Sequence, residues 1–284
     1  MEQPQERGLG EERERQRNEV MARRCEILSS FERERGSRAI TLIHRKEPWE
    51  EDEPYITIED SEFVLMQIKH TPQDVPIDII LHTPGGLALA AEMIAMALKE
   101  HPARVTAFIP FYAMSGGTLI ALAADEIVME RFTTLGPVDP QIMGYPAPAL
   151  LRVLLQKPVT AVSDEMLVKA EVARLALQNV QRFVQWLLED RIPRAQAAEL
   201  ADFLTGGYLS HDTPITLAAL VGFGLNVREG VPSLIYDLFS TCVFGVCKRP
   251  CIATYDRMEV PTGGAPSLGL PESRIHPPQL SRKS

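Results

Sequence analysis

Apolar residues in this chain come in short unbroken runs separated by helix-length segments, and each run ends on a turn signal. Residues 37–43 carry Ile40-Thr41-Leu42-Ile43, residues 77–81 read Ile-Asp-Ile-Ile-Leu, residues 104–110 hold Val105, Phe108 and Ile109, and residues 126–129 read Glu-Ile-Val-Met. Runs that are continuous rather than alternating predict strands covered by helices on both faces. Asp78 alone interrupts the second run. Between the strands lie helical patterns at 62–70, 87–99 and 119–124. Pro72 and Pro76 close the first, and the second is apolar nearly all round, which predicts deep packing. Strands alternating with helices over short connections point to a mainly parallel sheet with right-handed crossovers, an α/β fold.

Beyond residue 130 the pattern loosens. Residues 133–148 are rich in Gly and Pro and contain Asp139 and Tyr145, and 148–156 read as a short helix. Ser163 reads as the N-cap of a long helix through Leu167, Val172, Leu175, Val180, Phe183 and Leu187, with Asp164 and Glu165 in its first turn. Pro193 stops it, and a further helix at 195–204 ends on Gly206-Gly207. Short helices follow, one reaching Val221 and one at 233–239.

The ends of the chain are different in kind. Residues 1–10 are polar and are expected to be disordered, while 11–35 alternate Glu and Arg around Val20, Met21, Ile27, Leu28 and Phe31. That spacing predicts a solvated helix with one thin apolar stripe, which needs a partner: the protein body first, then a second subunit, then a membrane surface. Residues 47–62 hold eight carboxylates and no basic residue. They read as a solvated loop running into a helix capped by Asp60 or Ser61 rather than as a metal site. From residue 248 onward prolines and scattered charges leave too few apolar groups to offset ordering entropy. The expected division is a charged extension at 1–35, one α/β domain at 36–241 and a disordered tail at 242–284.

Composition then narrows the function. A chain of 284 residues with 45% hydrophobic content can bury one substantial core, and a net charge of −9 argues against nucleic acid as partner. No run approaches the roughly eighteen apolar residues that span a bilayer, and the first thirty residues are charged. The expectation is a soluble cytoplasmic protein with membrane association not indicated. Cys25 is isolated, and Cys242, Cys247 and Cys251 fit no standard zinc spacing. No metal or cofactor is expected.

The candidate chemistry lies in two strand–turn–helix units. In one, Tyr112-Ala113-Met114-Ser115-Gly116-Gly117-Thr118 separates a strand from a helix; in the other, His82-Thr83-Pro84-Gly85-Gly86 does the same thirty residues earlier. A hydroxyl placed where a strand turns into a helix stands exposed beside amides that are free at a helix start. Glycines there let a substrate approach the backbone.

These stretches, Leu81-His-Thr-Pro-Gly-Gly86 and Ala113-Met-Ser-Gly-Gly117, together with Ala123-Ala-Asp-Glu-Ile-Val128 and Leu135-Gly-Pro-Val138, resemble the Clp and signal-peptide-peptidase-A superfamily of serine peptidases. The closer resemblance is to the serine dehydrogenase proteinase family within it, from about Arg35 to Val227. It implies a ClpP/crotonase-like fold of repeated β-β-α spiral units and a serine endopeptidase that forms an acyl-enzyme on Ser115. It further implies a protein or peptide substrate and a homo-oligomer. Gly86 and Gly116 would supply the oxyanion-hole N–H groups, and Thr83, Gly85, Leu87 and Gly117 would border the substrate groove.

The base is open between two residues. The Clp enzymes place a histidine in the region of 133–148, where this chain has none, so their triad does not transfer directly. In the signal-peptide-peptidase branch the base is a lysine, and Lys157, beside Leu154, Leu155 and Pro158, is the best match for a Ser-Lys dyad. His211, followed by Asp212, is the competing base because an imidazole titrates near neutrality without special burial. Lys169 reads as solvated and His82 as a turn histidine. The alternative functions are a catalytically inactive scaffold of the same fold and a crotonase-type acyl-CoA enzyme, which needs an oxyanion hole but no serine nucleophile.

Overall fold

The computed structural model describes residues 4–45, 47 and 55–242. Most of the acidic 47–62 segment, Cys247, Cys251 and nearly all of the expected tail lie outside the described residues. Helix α1 (Pro4–Arg35) leads into β1 (Arg38–Ile43), α2 (Ile58–His70), β2 (Ile77–His82), α3 (Ala88–Lys99) and β3 (Val105–Ile109). A two-residue strand β4 (Tyr112–Ala113) precedes α4 (Gly116–Ala123), β5 (Glu126–Met129) and another short strand, β6 (Thr134–Leu135). The hairpin of β7 (Gln141–Ile142) and β8 (Tyr145–Pro146) opens an excursion through α5 (Ala147–Gln156), α6 (Asp164–Leu188) and α7 (Arg194–Thr205). The chain returns through β9 (Ile215–Thr216), α8 (Leu217–Gly222), β10 (Val227–Glu229) and α9 (Ser233–Ser240). Helix α1 begins at Pro4, earlier than the polar composition of residues 1–10 suggests, because Glu, Gln and Arg are good helix formers.

Strands β1-β2-β3-β5-β10 form one sheet in that order, every pair parallel. Strands β2 and β3 are buried along their whole length, which is why their sequences do not alternate. A second, small sheet holds β4-β6-β9, and Thr83 extends it by a parallel bridge to Ala113. Each successive unit thus puts one strand in the large sheet and a short extension in the small one before its helix. The units are β2 with Thr83 then α3, β3 with β4 then α4, and β5 with β6 then α5. This is the expected spiral of β-β-α repeats.

The two faces of the large sheet bury different helices. Ile77, Ile79 and Leu81 share a core with Ile94, Leu98 and Ile120 of α3 and α4. Ile80 and Phe108 pack instead with Ile27 and Phe31 of α1 and with Ile235, Leu238 and Phe239 of α9. The apolar stripe of α1 therefore finds its partner on the body, with Phe31 edge-on to Phe108 at 5.6 Å. Asp78, the break in the β2 run, explains itself here. Its carboxylate is 1% exposed and receives Arg35 Nε at 2.8 Å, Arg35 Nη2 at 3.0 Å and the Ser37 hydroxyl at 2.6 Å. The paired carboxylate in turn raises the Arg35 pKa. Among the described residues no helix is long and apolar enough to cross a membrane.

Removing one partner of a buried pair leaves an uncompensated charge. Arg35→Ala is expected to lower unfolding free energy in urea by about 3 kcal/mol. Arg15→Ala, which breaks only an exposed pair with Glu12, is expected to change it by less than about 0.5 kcal/mol.

Candidate active site

Ser115 caps the N-terminus of α4 with φ 51° and ψ −117°, a backbone conformation that a residue with a side chain adopts only under strain. The turn is latched on both sides. Gly117 N–H donates to Met114 O at 2.8 Å, and the Thr118 hydroxyl lies 2.9 Å from both Ala113 O and Gly136 O while accepting the Gly136 N–H at 3.0 Å. Gly85 sits directly against this turn with φ +102°: a Cβ there would lie 2.7 Å from Ser115 Cβ. A Cβ on Gly117 would lie 2.5 Å from Thr83 Cγ2. The two glycine turns touch, so their lack of side chains is a steric requirement.

The same contact aims two amides. Gly85 O accepts the Ile56 N–H at 2.7 Å, and Leu87 N–H donates to Ile56 O at 2.8 Å. Because a trans peptide points its C=O and N–H in opposite directions, the Gly86 N–H is turned away from Ile56. Gly86 N lies 3.7 Å from where a Gly116 Cβ would be. Among the described residues neither the Gly86 nor the Gly116 N–H has a hydrogen-bond partner. Ile56 already occupies the Gly85 O and Leu87 N positions that an added strand could pair with. Of the expected groove residues, Thr83, Gly85 and Gly117 are buried and act on the shape of the turn, whereas Leu87 is exposed.

His211 and Asp139 reach this region through the small sheet. Ala113 of β4 lies opposite Leu135 of β6, which lies opposite Ile215 of β9. Since β4 and β6 are parallel and β9 is antiparallel to β6, Ser115, Asp139 and His211 all leave the sheet at one end. There His211 Nδ1 meets Asp139 Oδ1 at 2.8 Å, and Gln141 Nε2 donates to Asp139 Oδ2 at 2.8 Å. Asp139 is 2% exposed, and its hydrogen bond raises the His211 pKa against the opposing effect of burial. The adjacent Asp212, the nearest carboxylate in sequence, instead accepts the Ser210 hydroxyl at 2.6 Å. Asp139 is the site residue that sequence reasoning left without a role.

The other candidates are placed apart from this pair. Lys157 is the exposed C-cap of α5. Lys169 pairs with Glu165 on α6 at 2.6 Å. His82 is packed among Phe111, Tyr112 and Phe239 with its Nδ1 lacking a hydrogen-bond partner among the described residues. Burial, with smaller repulsion from Arg45 and His44, pushes its pKa down to about 4.

A strained serine turn against an amide-lined glycine turn, on a spiral α/β scaffold, defines a serine-proteinase-like protein of the ClpP type. The chain belongs to the family of ClpP-like SDH-type serine proteinases, which it matches over residues 12–262. The uncharacterized proteins MJ1495 and MJ0137 of Methanocaldococcus jannaschii are 47% identical over 220 residues and 46% identical over 230 residues. Those alignments cover 76% of this chain and 75% of the first relative, and 78% and 79% for the second. Among solved structures, the membrane-bound stomatin-specific protease 1510-N in complex with a substrate peptide gives a TM-score of 0.45 at 20% identity, covering 72% of this chain and 77% of its own. ClpP1 from Listeria monocytogenes gives 0.44 at 16% identity, covering 69% and 94%.

His82 yields a stability test. Its folded pKa lies below the ordinary 6.5, so between those values the unfolded chain binds the extra proton. Stability is therefore lost as pH falls from 6.5 toward 4, by up to about 3 kcal/mol. His82→Phe is expected to flatten the pH dependence of the urea midpoint in that window.

Proposed function

We propose that this protein is a serine endopeptidase that hydrolyses peptide bonds of proteins or peptides through an acyl-enzyme on Ser115. The observation that carries the reading is the bond between His211 Nδ1 and buried Asp139 at the sheet end from which the Ser115 turn emerges. With Nδ1–H given to Asp139, His211 Nε2 is the basic nitrogen. It takes the Ser115 proton as Oγ bonds to the substrate carbonyl carbon, and the Gly86 and Gly116 N–H groups receive the oxyanion. The imidazolium, stabilised by Asp139, hands the proton to the amine nitrogen as the C–N bond breaks. Water then repeats the sequence on the ester, releasing the acid and restoring Ser115.

Desolvation is what lets a lysine serve as base near neutral pH, and the exposure of Lys157 favours the imidazole over a Ser-Lys dyad. A strained serine has no task in crotonase-type chemistry, and an oriented histidine none in a scaffold. Leu87, beside the oxyanion amides, is the side chain we assign to substrate contact. An exposed apolar stripe of Val168, Val172 and Leu175 on α6, with Leu155 at the end of α5, supports a homo-oligomer. Light scattering at micromolar concentration is expected to give a multiple of the chain mass, and a monomer would remove that part of the proposal.

Fluorophosphonate labelling and peptide hydrolysis test the chemistry. Ser115→Ala should abolish labelling, and His211→Ala or Asp139→Asn should lower kcat by at least about a thousandfold, with Lys157→Ala close to the parent. Activity should rise as His211 loses its proton, at a midpoint above 6.5, and Asp139→Asn should move that midpoint down. Labelling that survives His211→Ala but disappears with Lys157→Ala would assign the base to lysine.

A further inference from the structure

A chain of hydrogen bonds outside the Ser115, His211 and Asp139 group ends on the oxyanion turn. His44, just after β1, places Nδ1 2.8 Å from Thr83 Oγ1 and Nε2 3.3 Å from Asp60 Oδ2 in the first turn of α2. Thr83 Oγ1 accepts the Gly85 N–H at 3.1 Å. Its single hydrogen then goes to the near acceptor, His44 Nδ1, rather than to Gly85 O at 3.4 Å. That leaves the imidazole proton on Nε2, facing Asp60. Asp60 is itself held by the Thr57 N–H at 2.8 Å and the Thr57 hydroxyl at 2.9 Å, and His44 lowers its pKa further against the cost of burial. Thr83 is fully buried and the His44 side chain is 9% exposed.

We infer that Asp60, His44 and Thr83 form a positioning relay that fixes the Gly85–Gly86 turn and so aims the Gly86 N–H at the oxyanion. The inference rests on the peptidase reading above. Glycine at φ +102° followed by glycine at φ +158° has little intrinsic preference for one peptide orientation, so external bonds must choose it. One short segment supplies them all. Ile56 holds Gly85 O and Leu87 N, which orients the peptide after Gly85; Asp60, through His44 and Thr83, holds Gly85 N, which orients the peptide before it. The N-terminus of α2 thereby clamps the turn from two directions. None of these three side chains touches substrate.

Two substitutions at Thr83 separate this role from packing. Thr83→Val keeps the methyl that meets Gly117 and removes the hydroxyl; Thr83→Ser does the reverse. The full chain is reacted with a fluorophosphonate probe, and the second-order rate of adduct formation at Ser115 is measured alongside the thermal midpoint. A relay predicts roughly tenfold slower labelling for Thr83→Val, the cost of one buried hydrogen bond, with Thr83→Ser near the parent rate. His44→Phe should match Thr83→Val, and the double variant should be no slower, because both cut the same chain. Labelling by Thr83→Val at the parent rate, or by Thr83→Ser as slow as or slower than Thr83→Val, overturns the relay while leaving the peptidase reading in place. A parent protein that forms no Ser115 adduct overturns both.

Discussion

Everything at this site depends on a close approach of two backbone turns that leaves no room for a methyl group at Gly85, Gly116 or Gly117. Such an approach brings the Gly86 and Gly116 amides to one side of Ser115, and it forces Ser115 into a conformation costing of order 1–3 kcal/mol. The cost is carried by packing. All eight residues of α4 are buried, and each large apolar side chain among them contributes roughly 1.5–3 kcal/mol, so the helix holds its first residue against the strain. Thr118, inside the same helix, ties the turn to β6 through Gly136.

Two buried carboxylates show how one chemical device serves different ends. Asp78 and Asp139 are each almost fully buried and each receives a nitrogen base at about 2.8 Å with a second neutral donor. Asp78 faces an arginine, whose charge is permanent, and anchors α1 to the sheet. Asp139 faces a half-buried histidine, whose charge is not, and its bond selects which ring nitrogen remains basic. The partner, more than the carboxylate, decides whether the pair is structural or reactive.

Much of this was legible in the sequence wherever local forces dominate. Continuous apolar runs announced β2 and β3, the caps at Ser163 and Asp60 announced α6 and α2, and the paired glycines marked both turns of the site. The capping of α2 came from Thr57 with Asp60 as its reciprocal partner, one turn earlier than residue types alone suggested. What escaped is long-range. Strands of two residues such as β4, β6 and β9 have no period to detect, yet they alone bring residue 211 beside residue 139. Adjacency in sequence pointed to Asp212 as the partner of His211, whereas the fold chose a carboxylate lying between Pro137, Val138 and Pro140. The relay was invisible for the same reason, since His44, Asp60 and Thr83 come from three separate elements.

The excursion from β7 to α7 departs from the small sheet after Leu135 and comes back at Ile215, the residue paired with it. Its entry and exit are thus neighbours, like the two posts of a gate. Segments bounded in this way can lengthen, shorten or be exchanged at modest entropic expense, since the ends stay closed by the ladder between them. The architecture therefore separates an invariant reaction centre from a replaceable cassette, and gives descendants of this fold freedom to remodel what surrounds the centre without rebuilding it.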